Sequence, residues 1–148
     1  MLYTVGEMAK RLGIAPSTLR FYDKEGLLPF VERSSGGMRM FKDSDYEWLQ
    51  IIECLKKTGM QLKDIREFVY MAMQGDDTIE PRLTLIRQQR EAVLKQIAEL
   101  QDTLNTLDFK CWYYETAKAN GTTEVPRNMT LDELPEQFRE VRKKLKGE

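Results

Sequence analysis

The feature that most constrains this chain is a run of apolar residues spaced alternately by four and three positions between residues 79 and 111. This spacing places one narrow apolar stripe along one side of a helix, as in a coiled coil. A helix continuing to about Lys118 would be about 60 Å long. No small domain could cover such a length, so the stripe predicts a partner helix. Its positions are Ile79, Leu83, Ile86, Arg90, Val93, Ile97, Leu100, Leu104, Leu107 and Cys111.

The stripe contains one charged position and does not define how two helices pair. Arg90 interrupts the apolar series, and its aliphatic stem can lie along the edge of the stripe while the guanidinium stays in water. Pro81 falls in the first helical turn after Thr78, a candidate cap, where the missing N–H costs little. Heptads alone are compatible with both parallel and antiparallel pairing.

Upstream of the stripe, the chain predicts two short helices. Thr4 and Glu7 have capping-box spacing at the start of the first helix, and Gly13 ends it. Pro16 suits the first turn of a second helix that ends near Gly26. Two helices joined by so few residues are typical of a helix-turn-helix.

The second helix carries side chains suited to contacting nucleic acid. Hydroxyls, a guanidinium and aromatic rings are what phosphate and base-edge contacts require. The alternative is an ordinary helical hairpin with a solvated polar face. The candidate DNA-binding residues of this region are Thr4, Ser17, Thr18, Arg20, Phe21, Tyr22 and Lys24.

A hairpin pattern follows and favours the DNA-binding interpretation. Residues 34–37, Ser-Ser-Gly-Gly, are a turn signal between two short β-prone segments. Arg33 and Arg39 lie at its two shoulders, where a wing would place them against the DNA backbone.

Composition argues against catalysis and only weakly against nucleic acid. The net charge is −1, yet residues 1–42 hold seven Lys and Arg against four Asp and Glu, so basic charge is concentrated there. The chain has no histidine and shows no glycine-rich phosphate loop, CxxC motif or nucleophile elbow. We therefore expect neither an enzyme nor a bound cofactor.

The sequence also indicates where the protein is located in the cell and whether its two cysteines form a disulfide. No apolar run approaches the roughly 20 residues that a membrane span needs, and the first residues lack a signal-peptide pattern. We expect a cytoplasmic protein that does not enter the membrane. Cys54 and Cys111 lie far apart in the sequence, so free thiols are expected rather than a disulfide.

The segment TVGEMAKRLGIAPSTLRFYDKEGLLPF (residues 4–30), followed by RSSGGMRMF (residues 33–41), resembles the winged-helix head of the MerR family of bacterial transcription regulators. The run TLRFYDKEGLL is the specific part of this resemblance. Ala15 departs from the family pattern, which often has a capping Ser or Thr there. The departure should weaken the start of the second helix by about 1 kcal/mol.

The resemblance implies a mainly α fold with a winged helix-turn-helix head, a small β-hairpin wing and a long antiparallel coiled-coil dimerisation helix. It implies a homodimer on double-stranded promoter DNA, which the activated form bends and untwists for RNA polymerase. We expect three segments. Residues 1–75 form the head with its connector helices, residues 76–118 the dimerisation helix, and residues 119–148 a loop and a short tail helix.

The connector helices and the tail have boundaries that the sequence also suggests. Asp43 or Ser44 can cap a third helix that carries Trp48 on its apolar face. Thr130 and Glu133 offer another capping box for a tail helix. The final RKKLK run is expected to be a solvated end.

Two sites compete as the receiver of a signal. Cys54 lies beside Lys56 and Lys57, and nearby ammonium groups favour the reactive thiolate. The run ECLKKTGM is similar to that of the AdhR/NmlR-type regulators, which respond to aldehydes and electrophiles through one cysteine in this connector helix. The alternative is that Cys54 is a small buried hydrophobe.

The competing site is aromatic. Trp112, Tyr113 and Tyr114 could line a pocket for a flat or cationic small molecule, or they could pack the end of the arm. A metal sensor of the family would carry cysteines, often with a histidine, after the long helix, and this chain has neither there.

Three other functions remain open at this point. An architectural, excisionase-like DNA-binding protein would use the same head without an effector but would not need so long an apolar stripe. A coiled-coil interaction protein without DNA binding is disfavoured by Arg20, Tyr22 and Arg39. A thiol enzyme is disfavoured by the lack of histidine.

Overall fold

The structure, a computed structural model, describes residues 1–148 and is mainly helical with one small antiparallel sheet. Three short 3-10 turns, Asp76–Thr78, Leu131–Glu133 and Glu136–Phe138, connect its regular elements. In chain order the elements are β1 Leu2–Tyr3, α1 Val5–Leu12, α2 Pro16–Lys24, β2 Glu32–Arg33, β3 Arg39–Lys42, α3 Asp43–Lys57, α4 Leu62–Met73, α5 Ile79–Asn120, α6 Glu124–Asn128 and α7 Arg139–Leu145.

The chain forms two compact units, residues 1–93 and residues 94–148, and α5 runs from the first into the second. The predicted long helix is confirmed, and it continues slightly past Lys118. None of the helices is long and apolar enough to cross a membrane.

The start of the first unit follows its local signals. Thr4 and Glu7 form the predicted capping box, and Gly13 ends α1 with a left-handed φ of 72° that only glycine adopts without strain. Pro16 is in the first turn of α2, and Ala15 supplies no side-chain cap. The helix-turn-helix is therefore confirmed, and the weakening of the α2 start by Ala15 stays a prediction.

The sheet has the strand order β1-β3-β2, and both pairs are antiparallel. Tyr3 pairs with Phe41, while Arg33 pairs with Arg39 across the hairpin. The turn between β2 and β3 contains Gly37 with a φ of 81°. The β-hairpin wing is thus confirmed, and β1 ties it to the start of the chain.

The core of the first unit is formed by apolar residues from α1, α2, α3 and α4. Trp48 is half-buried and packs between Phe30 and Phe68, as predicted for a core position. Leu49 is buried as well. The fully buried members are Met8, Ala9, Leu19, Tyr22, Leu27, Phe41, Ile52 and Ile65.

Neither Asp43 nor Ser44 caps α3, so that prediction is wrong. Asp43 is the first helical residue, and Asp45 reaches back to accept a hydrogen bond from the Lys42 backbone N–H at 2.8 Å. Asp43 instead accepts from the Arg11 guanidinium and the Tyr3 hydroxyl, both at 2.9 Å. Because Arg11 donates to it, the pKa of the Asp43 carboxyl lies below its usual value.

Thr78 does not cap α5 either. Its hydroxyl donates to the Gly75 carbonyl at 2.8 Å and to the Met71 carbonyl. Thr78 therefore adds a side-chain hydrogen bond to the last turn of α4.

The second unit is organised around Phe109. This buried ring stacks on Trp112 and contacts Tyr113 and Phe138, and Leu134 completes the cluster. The residues after α5 thus fold back onto the aromatic residues of α5.

The tail helix begins later than predicted. Thr130 and Glu133 do form a capping box, but it opens only a 3-10 turn. Leu134 is extended with a ψ of 147°, as expected for a residue before proline. The helix α7 therefore starts at Arg139, after Pro135 has interrupted the helical path.

The RKKLK run is only partly solvated. Arg142 is buried and donates to the carbonyls of Pro126 at 3.4 Å and Arg127 at 2.6 Å. This contact joins α7 to the short helix α6, which the sequence did not predict. Arg142 thus holds α7 against the segment that follows α5, and the expectation of a wholly solvated end is wrong.

Candidate nucleic-acid interface

The start of α1 presents backbone N–H groups and a well-ordered cap. The Thr4 backbone N–H donates to the Glu7 carboxylate at 2.8 Å, and the Thr4 hydroxyl accepts from the Glu7 N–H at 3.3 Å. The first of these bonds lowers the pKa of Glu7. The remaining N–H groups at this helix start can receive an anion such as phosphate.

The outer face of α2 supplies side chains for a groove. Ser17, Arg20 and Lys24 are exposed, and Thr18 is half-buried. Phe21 keeps 43% of its surface exposed, unusually high for a phenylalanine beside a core. The polar face predicted from the sequence therefore exists as one continuous helical surface.

A shallow cleft joins this helix to the start of α1 and to the wing. Its volume is about 340 Å³, and residues of the α1 start, α2 and the wing line it, mostly with apolar atoms. Two arginines thus lie beside a helix N-terminus at this cleft, and such a combination suits a phosphate at its rim. The lining residues are Thr4, Val5, Gly6, Arg20, Gly37, Met38 and Arg39.

Both wing arginines are held by one carboxylate on α2. The Asp23 Oδ2 atom accepts from the Arg39 Nε at 2.5 Å and from an Arg33 terminal nitrogen at 3.1 Å. Arg33 also donates to the Gly37 carbonyl at 3.0 Å within the turn. The arginines predicted to reach DNA thus also fix the wing to the end of α2.

Tyr22 does not lie on the DNA-facing surface, which corrects its predicted role. Its side chain has no exposed surface. Its hydroxyl donates to the Glu53 carboxylate and accepts from the Lys56 ammonium at 3.1 Å. Burial, and then the hydrogen bond to Glu53, raises the pKa of Tyr22. Tyr22 therefore links the base of α2 to α3 rather than contacting DNA.

The candidate sensing thiols are both free and exposed within this single chain. Cys54 is on α3 immediately after Glu53, the partner of Tyr22. It is not the small buried hydrophobe of the alternative interpretation. No group of three or more His, Cys, Asp or Glu residues is placed to hold a metal ion.

The aromatic candidates are placed mainly by packing. Trp112 and Tyr113 are half-buried in the Phe109 cluster, and Tyr114 is exposed. The Lys110 ammonium lies 4.5 Å from the centre of the Tyr113 ring. The tail packs beside the Trp112 and Tyr113 rings, and a role of these residues in binding a small molecule stays a prediction.

Three residues have contacts in this region that the sequence did not predict. Asp23, Glu53 and Lys56 are charged residues on helices, and each resembles an ordinary solvated position. Only Glu53 and Lys56 carried a signal, since their spacing of three puts both side chains on one face of α3. Nothing in the sequence pairs that face with Tyr22.

The chain was compared with known families. Residues 3–71 match a family described as MerR HTH family regulatory protein. Residues 46–108 match a family described as MerR, DNA binding. Together the two matches span the head and most of α5.

Individual relatives agree with these matches. An uncharacterized HTH-type transcriptional regulator of Haemophilus influenzae is 48% identical over 92% of this chain and 98% of its own length. The HTH-type transcriptional regulator AdhR of Bacillus subtilis is 29% identical over 62% of this chain and 65% of its own length.

Solved structures share the fold. HiNmlR, a MerR family regulator described as lacking the sensor domain and bound to promoter DNA, is 50% identical with a TM-score of 0.76, over 84% of this chain and 99% of that chain. A MerR family regulator from Bacillus thuringiensis is 40% identical with a TM-score of 0.70, over 75% of this chain and 97% of that chain.

We predict that Tyr22→Phe lowers the free energy of unfolding by about 1–2 kcal/mol, because Glu53 and Lys56 lose their common partner. Urea unfolding at pH 7 measures this. The matched control is Tyr46→Phe, whose hydroxyl only accepts from the exposed Gln50. That change should cost less than about 0.5 kcal/mol.

The same variant has a predicted pH dependence. A raised pKa in the folded state favours the neutral phenol, so the contribution of Tyr22 is complete below the unfolded pKa of about 10 and is lost as pH rises above it. The difference between wild type and Tyr22→Phe should therefore shrink above about pH 10. An unchanged difference there would contradict the assignment.

Proposed function

This chain belongs to the MerR family of DNA-binding transcriptional regulators, and on that premise we propose that it acts in the cytoplasm as a homodimer that reshapes promoter DNA in response to a signal. The family consists of regulators rather than enzymes, and DNA binding is its shared activity. The observation that carries the proposal is the cleft that joins the start of α1, Arg20 of α2 and the wing.

We assign the DNA contacts to two classes. Arg20, Thr4 and the N–H groups of α1 border the cleft and suit one backbone phosphate. Ser17, Phe21 and Lys24 are exposed on the face of α2 that would enter the major groove. Arg33 and Arg39 keep guanidinium N–H groups beyond those bonded to Asp23, and these can reach a phosphate on the wing side.

Dimerisation is supported by the solvent exposure of the apolar stripe on α5. The side chains of Ile97, Leu100 and Leu107 keep 57%, 68% and 57% of their surface exposed. Contiguous apolar surface of this kind marks an interaction site. A second copy of α5 supplies the complementary stripe, and antiparallel pairing follows the family arrangement.

Such a dimer can act through the geometry of its two heads. Bending or untwisting DNA costs energy that depends on the distance and angle between the two bound heads. A signal that shifts the heads therefore shifts the shape of the promoter that RNA polymerase meets. An architectural DNA-binding protein without an effector remains the alternative, and it gives no reason for a 42-residue α5.

We further propose that the signal is thiol-reactive and is received at Cys54. HiNmlR is described as lacking the sensor domain, and in this chain the tail packs against Trp112 and Tyr113, two of the three aromatic candidates. An exposed thiol remains on α3, next to the glutamate that holds Tyr22. Modification there can move α3 and, through Tyr22, the recognition helix α2.

We predict that Arg20→Ala weakens binding about tenfold to specific and non-specific duplexes alike and reduces the salt slope by about one. The specific site is the duplex that the protein enriches from a random-sequence library, and fluorescence anisotropy over a salt series gives the slope. Lys118→Ala removes one positive charge from the second unit and should change neither value. An unchanged slope in Arg20→Ala would remove Arg20 from the phosphate contacts.

We predict that Leu100→Glu dissociates the dimer, because a carboxylate in the apolar stripe cannot be buried without a partner. Sedimentation equilibrium at micromolar concentration should show monomers for this variant and dimers for the wild type. Ala98→Glu adds the same charge on the opposite side of α5 and should remain dimeric. A wild-type monomer would exclude the homodimer.

We predict that Cys54→Ser abolishes the transcriptional response to an aldehyde or a peroxide while DNA affinity stays within about twofold, since a hydroxyl is far less nucleophilic than a thiolate. In vitro transcription with and without the reagent measures the response. Cys111→Ser should respond as the wild type does. A response that survives in Cys54→Ser would transfer the sensing role elsewhere.

A further inference from the structure

We propose that Asp23 is a positioning residue for DNA recognition, whose single carboxylate sets the place of the wing relative to α2. The proposal rests on the DNA-binding function above and adds a residue that does not itself need to touch DNA. According to this proposal, the Asp23 carboxylate, at the edge of a basic surface, contributes to specificity for the selected site, which is the duplex that the protein enriches from a random-sequence library.

The two wing arginines face each other across the hairpin. Arg33 and Arg39 are directly opposite each other in the register of β2 and β3, so their side chains share one face of the hairpin. Like charges in this position repel each other. Asp23 accepts from both through the same Oδ2 atom and compensates the two charges at once.

The contact between Asp23 and Arg39 is largely shielded from water. The Asp23 side chain is only 18% exposed and that of Arg39 only 24%, whereas Arg33 is 53% exposed. Ion pairs that are shielded from water are stronger and more fixed in geometry than exposed ones. The Asp23–Arg39 contact is therefore the main connection between α2 and the wing, and Arg33 is the more exposed second partner.

The outer part of the wing has few other contacts with the rest of the head. The strand β2 is two residues long, both of its residues are exposed, and Met38 in the turn keeps 59% of its surface exposed. A two-stranded hairpin of this size is not stable on its own. The apolar anchor of β3 is Phe41, at the far end from the turn. The position of the tip thus depends on Asp23.

Two accounts of Asp23 predict opposite results. If it acts only as a charge, its removal raises the local positive potential and strengthens binding to every duplex. If it positions the wing, its removal loosens Arg33 and Arg39, so binding to the selected site weakens while non-specific binding does not. The ratio of the two affinities distinguishes these accounts.

The experiment measures the dissociation constants of full-length wild type, Asp23→Asn and Glu25→Gln for the selected duplex and for a non-specific duplex. Glu25 lies at the same end of α2 but pairs with neither arginine, so Glu25→Gln is the charge-matched control. We expect the affinity ratio to fall about tenfold in Asp23→Asn and less than about twofold in Glu25→Gln.

Equal strengthening of both affinities in Asp23→Asn, as in Glu25→Gln, would overturn the inference while leaving the proposed function intact. A wild type that enriches no duplex would instead overturn the proposed function itself. Should Asp23→Asn fail to fold, Arg39→Lys takes its place, because it keeps the charge but loses the Nε contact. The same tenfold fall in the ratio is expected, and an unchanged ratio would overturn the inference.

Discussion

The apolar stripe of α5 is the constraint on which the rest of this protein depends. Each leucine or isoleucine moved out of water contributes about 1.5–3 kcal/mol, and the stripe repeats such residues along most of a 42-residue helix. Neither compact unit of the chain covers it. The stripe therefore favours a second copy, and a second copy gives the regulator two heads.

Within each head, three polar joints hold the DNA-facing elements in place. Tyr22 joins α2 to α3 through Glu53 and Lys56, and Asp23 joins α2 to the wing. The Asp43 carboxylate joins β1, α1 and α3 through Tyr3 and Arg11. A small core cannot fix the angle of a surface helix by apolar contacts alone, whereas charge-assisted hydrogen bonds are directional. The position of the DNA-facing surface thus depends on polar contacts that do not themselves face DNA.

The adjacent residues Tyr22 and Asp23 connect α2 to two different elements, so a movement of one element can be transmitted to the other through α2. Tyr22 points into the unit and meets α3, while Asp23 meets the wing. A displacement of α3 can reach the groove-facing residues of α2 through the first contact and the wing through the second. Cys54, exposed one residue after Glu53, is where a covalent signal could start such a displacement.

The sequence predicted those features that local chemistry decides. The capping box of Thr4, the left-handed Gly13 and the heptads of α5 depend on neighbouring residues, and all three are present. It failed where distant segments decide. Tyr22 looked like a surface aromatic because its burial depends on α3. The predicted start of the tail helix was too early. The capping box at Thr130 suggested a helix start, but Pro135 imposes an extended backbone on Leu134 and prevents the helix from continuing.

The central claim, two heads held by antiparallel copies of α5, is tested most directly by distances between spin labels in the dimer. Glu80 and Lys95 are both exposed and are not members of the stripe. Each is replaced in turn by a labelled cysteine in a protein with Cys54→Ser and Cys111→Ser. Antiparallel pairing centred near residue 95 predicts a distance between the two Glu80 positions about 40 Å longer than that between the two Lys95 positions. Distances that agree within a few ångströms at both sites would show parallel helices and contradict the account.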